Sequence, residues 1–190
     1  MKSDPNYFAV LEFWFGNGPG KQRAQWFRKD AGFDAEIQRR FGAVHEQAAR
    51  RALEAWRDAR ESMLALIVVF DQFSRNLHRG DARAFAQDAH ARECAAQALD
   101  RGDDLGMPPV QRQFIYLPFE HSEDLLDQEK GVELMRSLDA FEETRGSAVW
   151  AEKHRDIVRR FGRFPHRNAA LGRISTEAEA EFLKHPGSGF

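Results

Sequence analysis

The chain has 190 residues, 42% hydrophobic and 31% charged, with 28 basic and 30 acidic side chains and a formal net charge of −2. That length suits a single domain over residues 1–190, able to bury roughly 70% of its unfolded surface without disulfide or metal staples. The near balance of charge argues against a general nucleic-acid binder, the lone Cys94 excludes an intrachain disulfide framework, and the longest apolar run, 63–70, is too short to span a bilayer.

The segment 1–20 has no basic start followed by an apolar run, so it does not read as a signal peptide. The single cysteine fits a reducing cytoplasm, which is the expected location. Asp4 and Pro5 form a helix start, one as cap and one at the first helical position. The face Tyr7, Phe8, Val10, Leu11, Trp14, Phe15 follows, and GNGPG at 16–20 stops it. Asp34 is expected to cap a second helix, and Val44, Ala48, Ala49, Ala52, Leu53 and Trp56 carry helical spacing through 44–56.

The run MLALIVVF at 63–70 fits a buried strand or a buried helix by periodicity. Its helical neighbours and the lack of a partner strand favour a helix, which Asp71 and Gln72 would end. Asp81 is expected to cap the next helix, with Phe85, Ala89, Ala95 and Leu99 inward and Gly102 closing it. Cys94 sits there among alanines and reads as packing. Pro109 opens a helix through Phe114 and Leu117 that Pro118 kinks or divides. A helix over 128–143 buries Val132, Leu134, Met135, Leu138 and Phe141. Trp150, His154, Ile157, Val158 and Phe161 share the face of another, and Thr176 with Glu179 forms the capping-box pattern of a short last one. The expected fold is all-α, eight or nine helices in antiparallel pairs with short loops. No tetratricopeptide consensus is visible, so any such repeat is degenerate.

Three stretches carry groups that a core does not ordinarily need. FGRFPHRN at 161–168 sets Arg163, His166, Arg167 and Asn168 among Phe161, Phe164 and Pro165, and no acid occurs between Ile157 and Thr176. Arginines suit a carboxylate or phosphate held by two parallel hydrogen bonds. The same arginines could instead pair with the six acids of EHSEDLLDQEKGVE at 120–133. PFEHSED at 118–124 puts His121 on a helical apolar stripe beside Glu120, Glu123 and Asp124. A histidine there is an acid–base candidate or a core histidine satisfied by one hydrogen bond. DQFSRN at 71–76 places Asp71 at a helix C-terminus, where a negative charge is unfavourable unless Arg75 or an arginine of 163–173 rewards it.

On these grounds the candidate acid–base residues are His121, His154, Glu123 and Asp71. The candidate ligand-binding residues are Arg75, Asn76, Arg163, His166, Arg167 and Asn168. No HExxH or CxxC spacing points to a metal, no phosphate loop or nucleophile motif is present, and no cofactor is identifiable.

The ordered stretches VLEFWFG, WFRKDAGFD, LIVVFDQFSRNLHRGDARAFAQD, FIYLPFEHSEDLLDQE, HRDIVRRFGRFPHRNAALGRIST and EAEAEFL span nearly the whole chain. They resemble the bacterial family called domain of unknown function 924. The resemblance implies an all-helical fold related to a right-handed tetratricopeptide-like stack, and it implies no activity. Its hallmark motifs coincide with the candidate residues above. DQFSRN carries Ser74 where the resemblance leads one to expect proline. Three functions fit: a polar pocket for a small anionic ligand, as a hydrolase or proton-transfer enzyme; a tetratricopeptide-like module binding a peptide; or a buried ion-pair network of purely structural use.

Overall fold

In the computed structural model, residues 6–16 and 22–189 are described. The helix-start reading at Asp4 and Pro5 lies outside them. Nine α-helices and no strand occur among the described residues: α1 (Asn6–Phe15), α2 (Ala31–Ala49), α3 (Arg60–Val68), α4 (Ser74–Leu77), α5 (Asp88–Asp100), α6 (Pro109–Glu120), α7 (Leu125–Ser137), α8 (Ser147–Phe161) and α9 (Glu177–Phe182). None is long and apolar enough to cross a membrane.

The centre of the fold is α3. Met63 through Val68 are at most 1% exposed, which explains why this run shows no amphipathic period: a helix surrounded on all sides has no polar face to keep. It packs on α1, α5 and α6, while α5, α6, α7 and α8 pack in chain order, each on the next. One contiguous core runs from Val10 of α1 to Ala151 of α8, and Trp14, Trp26 and Phe114 meet in it edge-on or stacked.

Several boundaries differ from the sequence expectation, each for a local reason. The cap of α2 is Asp30, which accepts from Phe33 N at 3.0 Å; Asp34 lies in the first turn and binds Arg79 and Asn76 instead. The 44–56 pattern is not one helix. Arg51 takes a left-handed φ of 62°, so α2 ends and Trp56 enters the core from a 3-10 turn, Glu54–Asp58. Asp81 caps only the 3-10 turn Ala82–Ala84, and α5 starts later. Pro118 does not divide α6. It sits in the last turn, where its missing N–H removes one backbone hydrogen bond and the helix still runs on to Glu120. The helix expected over 128–143 is α7, capped by Asp124 through Leu126 N and closing at Ser137, so Phe141 lies outside it and 37% exposed. Trp150 also faces outward, 55% exposed. The Thr176–Glu179 capping box is present.

The largest departure concerns Asp71. The apolar helix does not end there. Val69–Phe73 forms a π-turn, and the chain runs on into α4 with every junction residue in right-handed helical geometry. Asp71 is therefore interior to a helical run, and only 1% exposed. The dipole penalty expected of a C-terminal aspartate does not arise.

Candidate functional site

Four segments converge beside the π-turn. The first is the turn itself, carrying Asp71 and then Arg75. The second is the end of α6, where Glu120 is the last helical residue and His121 the cap beyond it. The third is the start of α5 and the turn before it, carrying Phe85, Asp88 and Arg92. The fourth follows α8. Gly162 adopts φ 71°, a conformation that glycine enters without a Cβ clash, and this turns the chain back inward. Phe164 is then fully buried, and Arg167 and Asn168 are 6% and 1% exposed.

Asp71 is the hub. Its Oδ1 accepts from His121 Nδ1 at 2.7 Å and faces Arg75 Nη1 at 3.0 Å, and its Oδ2 accepts from Gln72 Nε2 at 2.6 Å. Burial alone would raise the carboxyl pKa, but Arg75 and His121 outweigh it and hold the group well below the usual carboxylate range. Asp71 is thus ionised and can only accept. His121 must place its proton on Nδ1, which leaves the Nε2 lone pair unspent, and Nε2 has no hydrogen-bond partner among the described residues. Burial lowers the His121 pKa, and the nearby Asp71 carboxylate only partly opposes this.

Above His121 opens a cleft of about 270 Å³, lined by Phe85, Asp88, Arg92, His121, Ser122 and Arg167 among others. Asp88 receives both nitrogens of Arg75, at 3.0 and 3.2 Å, and Arg167 Nη1 at 3.1 Å. Arg167 also donates to the His121 carbonyl at 2.9 Å, and its guanidinium lies 4.6 Å from the ring centres of both Phe85 and Phe164. Cation–π contact of this kind offsets part of the desolvation cost. Burial first, and Arg75 second, bring the Arg167 pKa down to about 10, which leaves it charged at neutral pH. Two acids, Asp71 and Asp88, therefore face two guanidiniums, Arg75 and Arg167. Arg92 on the cleft wall keeps 35% of its side chain exposed and meets Asp127 at 3.0 Å. Of the two arginines that line the opening it is the more exposed, since Arg167 keeps only 7%.

The other candidate residues are committed to contacts of their own. His154 is buried behind the cleft, its ring 6.2 Å from that of His121, with Nδ1 at 2.8 Å from the Trp150 carbonyl and 3.0 Å from Glu120 Oε1. Glu123 touches the cleft, but both its oxygens are engaged by Arg173, at 2.7 and 2.9 Å, and Oε1 also accepts from Phe164 N. Arg163 grips Glu179 at 2.6 and 2.8 Å, and Asn168 reaches Ser175 and Arg173. These contacts hold the C-terminal segment and α9 onto the fold. His166 packs on Phe164 with a pKa down to about 3, from burial first and Arg167 second. Asn76 binds Asp34 on α2, away from the cleft. No group of three or more potential metal ligands occurs among the described residues.

Asp88 and Arg92 were not singled out from the sequence. Asp88 meets Arg75 across 13 residues and Arg167 across 79, and separations of that size leave no periodic signal. Ser74 donates its hydroxyl to the Phe70 carbonyl at 2.6 Å, a bond the expected proline could not make. Cys94 is fully buried, and burial pushes its thiol up to about 11, in keeping with packing.

Residues 10–187 match the model of a family described as bacterial protein of unknown function (DUF924). A solved structure of a protein of unknown function from Agrobacterium tumefaciens is 42% identical, with a TM-score of 0.83 and 94% of this chain and 96% of that one covered. No curated protein matches the chain.

Proposed function

The chain belongs to the DUF924 family of bacterial proteins of unknown function, so membership assigns no chemistry, and we propose from the cleft geometry that it is an acid–base site for a small anionic molecule. The observation that carries this reading is the 2.7 Å contact between buried Asp71 and His121 Nδ1 at the floor of an open cleft. With Nδ1 committed to Asp71, Nε2 is the ring nitrogen left to meet a bound molecule, and His121 is among the residues that line the cleft.

The roles follow from the donor inventory. Asp71 fixes the ring and its tautomer and stabilises the imidazolium once it forms. His121 Nε2 accepts a proton from a bound molecule or from a water beside it, giving proton transfer or hydrolysis. The lowered His121 pKa keeps the imidazole neutral and ready to accept at pH 7. Arg92, with Arg167 behind it, supplies the positive potential that draws an anion in. A cleft of about 270 Å³ falls near the small end of ligand sites, roughly 300–1,000 Å³, which favours a metabolite over a peptide. Glu123, Arg163, Arg173 and Asn168 are read as the structural clamp of the C-terminal segment.

Thermal unfolding of wild type, His121→Gln and Arg92→Gln against inorganic phosphate and a panel of small carboxylates tests the proposal. A ligand at a hundred times its Kd stabilises by about 2.7 kcal/mol, or roughly 5–10 °C in a protein of this size. The reading expects such a rise in wild type and its loss in both variants. A folded wild type that no anion shifts, or a shift that Arg92→Gln retains in full, would count against it.

A further inference from the structure

We infer that His45 on α2 and Ser74 at the start of α4, neither of which lines the cleft, are positioning residues for the Asp71–His121 pair; the inference rests on the acid–base reading of the cleft. A π-turn is rarer and less stable than the α-turn it replaces, and it persists where its surroundings hold it. Here two carbonyls of the turn each accept a side-chain donor. Asp71 O accepts from Arg75 Nη1 at 2.6 Å, and Phe70 O accepts from Ser74 Oγ at 2.6 Å. The first belongs to the cleft. The second comes from Ser74, outside the cleft, and is itself held, because Ser74 Oγ lies 2.9 Å from His45 Nε2 on α2.

The proton assignments are forced. A carbonyl only accepts, so the Ser74 hydroxyl proton goes to Phe70 O. Ser74 Oγ then has only lone pairs for His45, so His45 carries its proton on Nε2. The relay runs His45 Nε2–H to Ser74 Oγ, and Ser74 Oγ–H to Phe70 O, with Asp71 the next residue. Ser74 is fully buried and His45 is 6% exposed, so water cannot readily replace either bond. One residue is about 100° of helix rotation. A turn that reverts from π to α geometry therefore takes the Asp71 carboxylate off His121. Neither His45 nor Ser74 lines the cleft. Their effect on His121 is transmitted through the backbone of the turn.

The test reads the His121 imidazole directly, by nitrogen-15 NMR of the full chain, with the resonance assigned from His121→Gln. It needs no substrate. Wild type should show the Nδ1–H tautomer. In Ser74→Ala and in His45→Leu the Nε2–H form should appear, and the His121 pKa should fall by about one unit as the carboxylate draws away. His45→Gln, which keeps a donor toward Ser74, should restore the wild-type pattern. Folded variants with an unchanged tautomer and pKa would overturn the positioning role while leaving the acid–base reading in place. A wild type lacking the Nδ1–H form would overturn the Asp71–His121 pair itself. Should both single variants fail to fold, the inference is also overturned, because the bonds would then be holding α2 to the core instead of aiming Asp71.

Discussion

Lowering the pH from 7 to 5 should destabilise this protein by several kcal/mol, because His45 and His166 fold in the neutral form. His45 falls from 6.5 to about 4, chiefly through burial and then through His78 beside it. His166 falls from 6.5 to about 3, through burial and then Arg167. A folded pKa below the unfolded one means that the unfolded chain binds protons first as pH drops. The stability is full above 6.5 and is lost as pH falls toward 4 and 3. At about 1.4 kcal/mol per pKa unit, the fall from pH 7 to pH 5 costs about 2 kcal/mol for each of the two histidines. His121 and His78 shift in the same direction and add to the loss. The acids do not contribute in this window. Asp71, Asp81 and Glu179 have lowered folded pKa values, so their stabilisation is lost only below about 4, their ordinary range. Urea denaturation at pH 7, 6 and 5 measures the effect. A loss of about 4 kcal/mol, against an m-value of about 2 kcal/mol/M, lowers the midpoint by about 2 M. His45→Gln and His166→Gln should each remove about half of the slope. A midpoint that stays level or rises between pH 7 and 5 would refute the reasoning, since it would mean that these rings are protonated in the fold or solvated.

Asp71→Asn should cost about 3 kcal/mol, because it removes a buried charge that His121, Arg75 and Gln72 all address; chemical denaturation measures it, and a neutral result would mean the carboxylate is not net satisfied. Gly131→Ala should lose about 1–3 kcal/mol, since a Cβ there meets Glu120 N at 3.2 Å and Phe119 Cβ at 3.4 Å; wild-type stability would show that α7 has room to move off α6. Glu179→Gln should speed amide hydrogen exchange in 174–183 while leaving α3 protected, because Arg163 and Thr176 hold α9 through that carboxylate; uniform exchange across the chain would instead make the clamp part of the global fold. Arg92→Gln should change stability by less than about 0.5 kcal/mol, as a half-exposed ion pair contributes little, so any effect it has on anion binding reports on the cleft alone.

Much of the fold is legible in the chain itself. The helical periods of α1, α6 and α8, the buried run in α3, Gly102 and the Thr176–Glu179 cap all encode local rules within four or five residues, and local rules survive in sequence. The errors fall where a local rule had two outcomes. Asp30 and Asp34 both suit a cap, and only the entry angle of the chain selects the first. Asp81 caps a turn as readily as a helix. No propensity separates a helix that ends at Asp71 from one that widens there.

For the site, the sequence determined its ingredients: an aspartate in need of a cationic partner, inward histidines and more guanidiniums than a core needs, in three separate motifs. Their sorting was decided by tertiary structure. His121, Asp71, Arg75 and Arg167 come together with Asp88 and Arg92, whereas Arg163 and Asn168 clamp α9 and Asn76 ties α4 to α2. The physical reason is distance along the chain. Arg167 finds Asp88 across 79 residues and His121 finds Asp71 across 50, and every arginine looks alike in sequence until the packing of α3, α5, α6 and α8 chooses its acid.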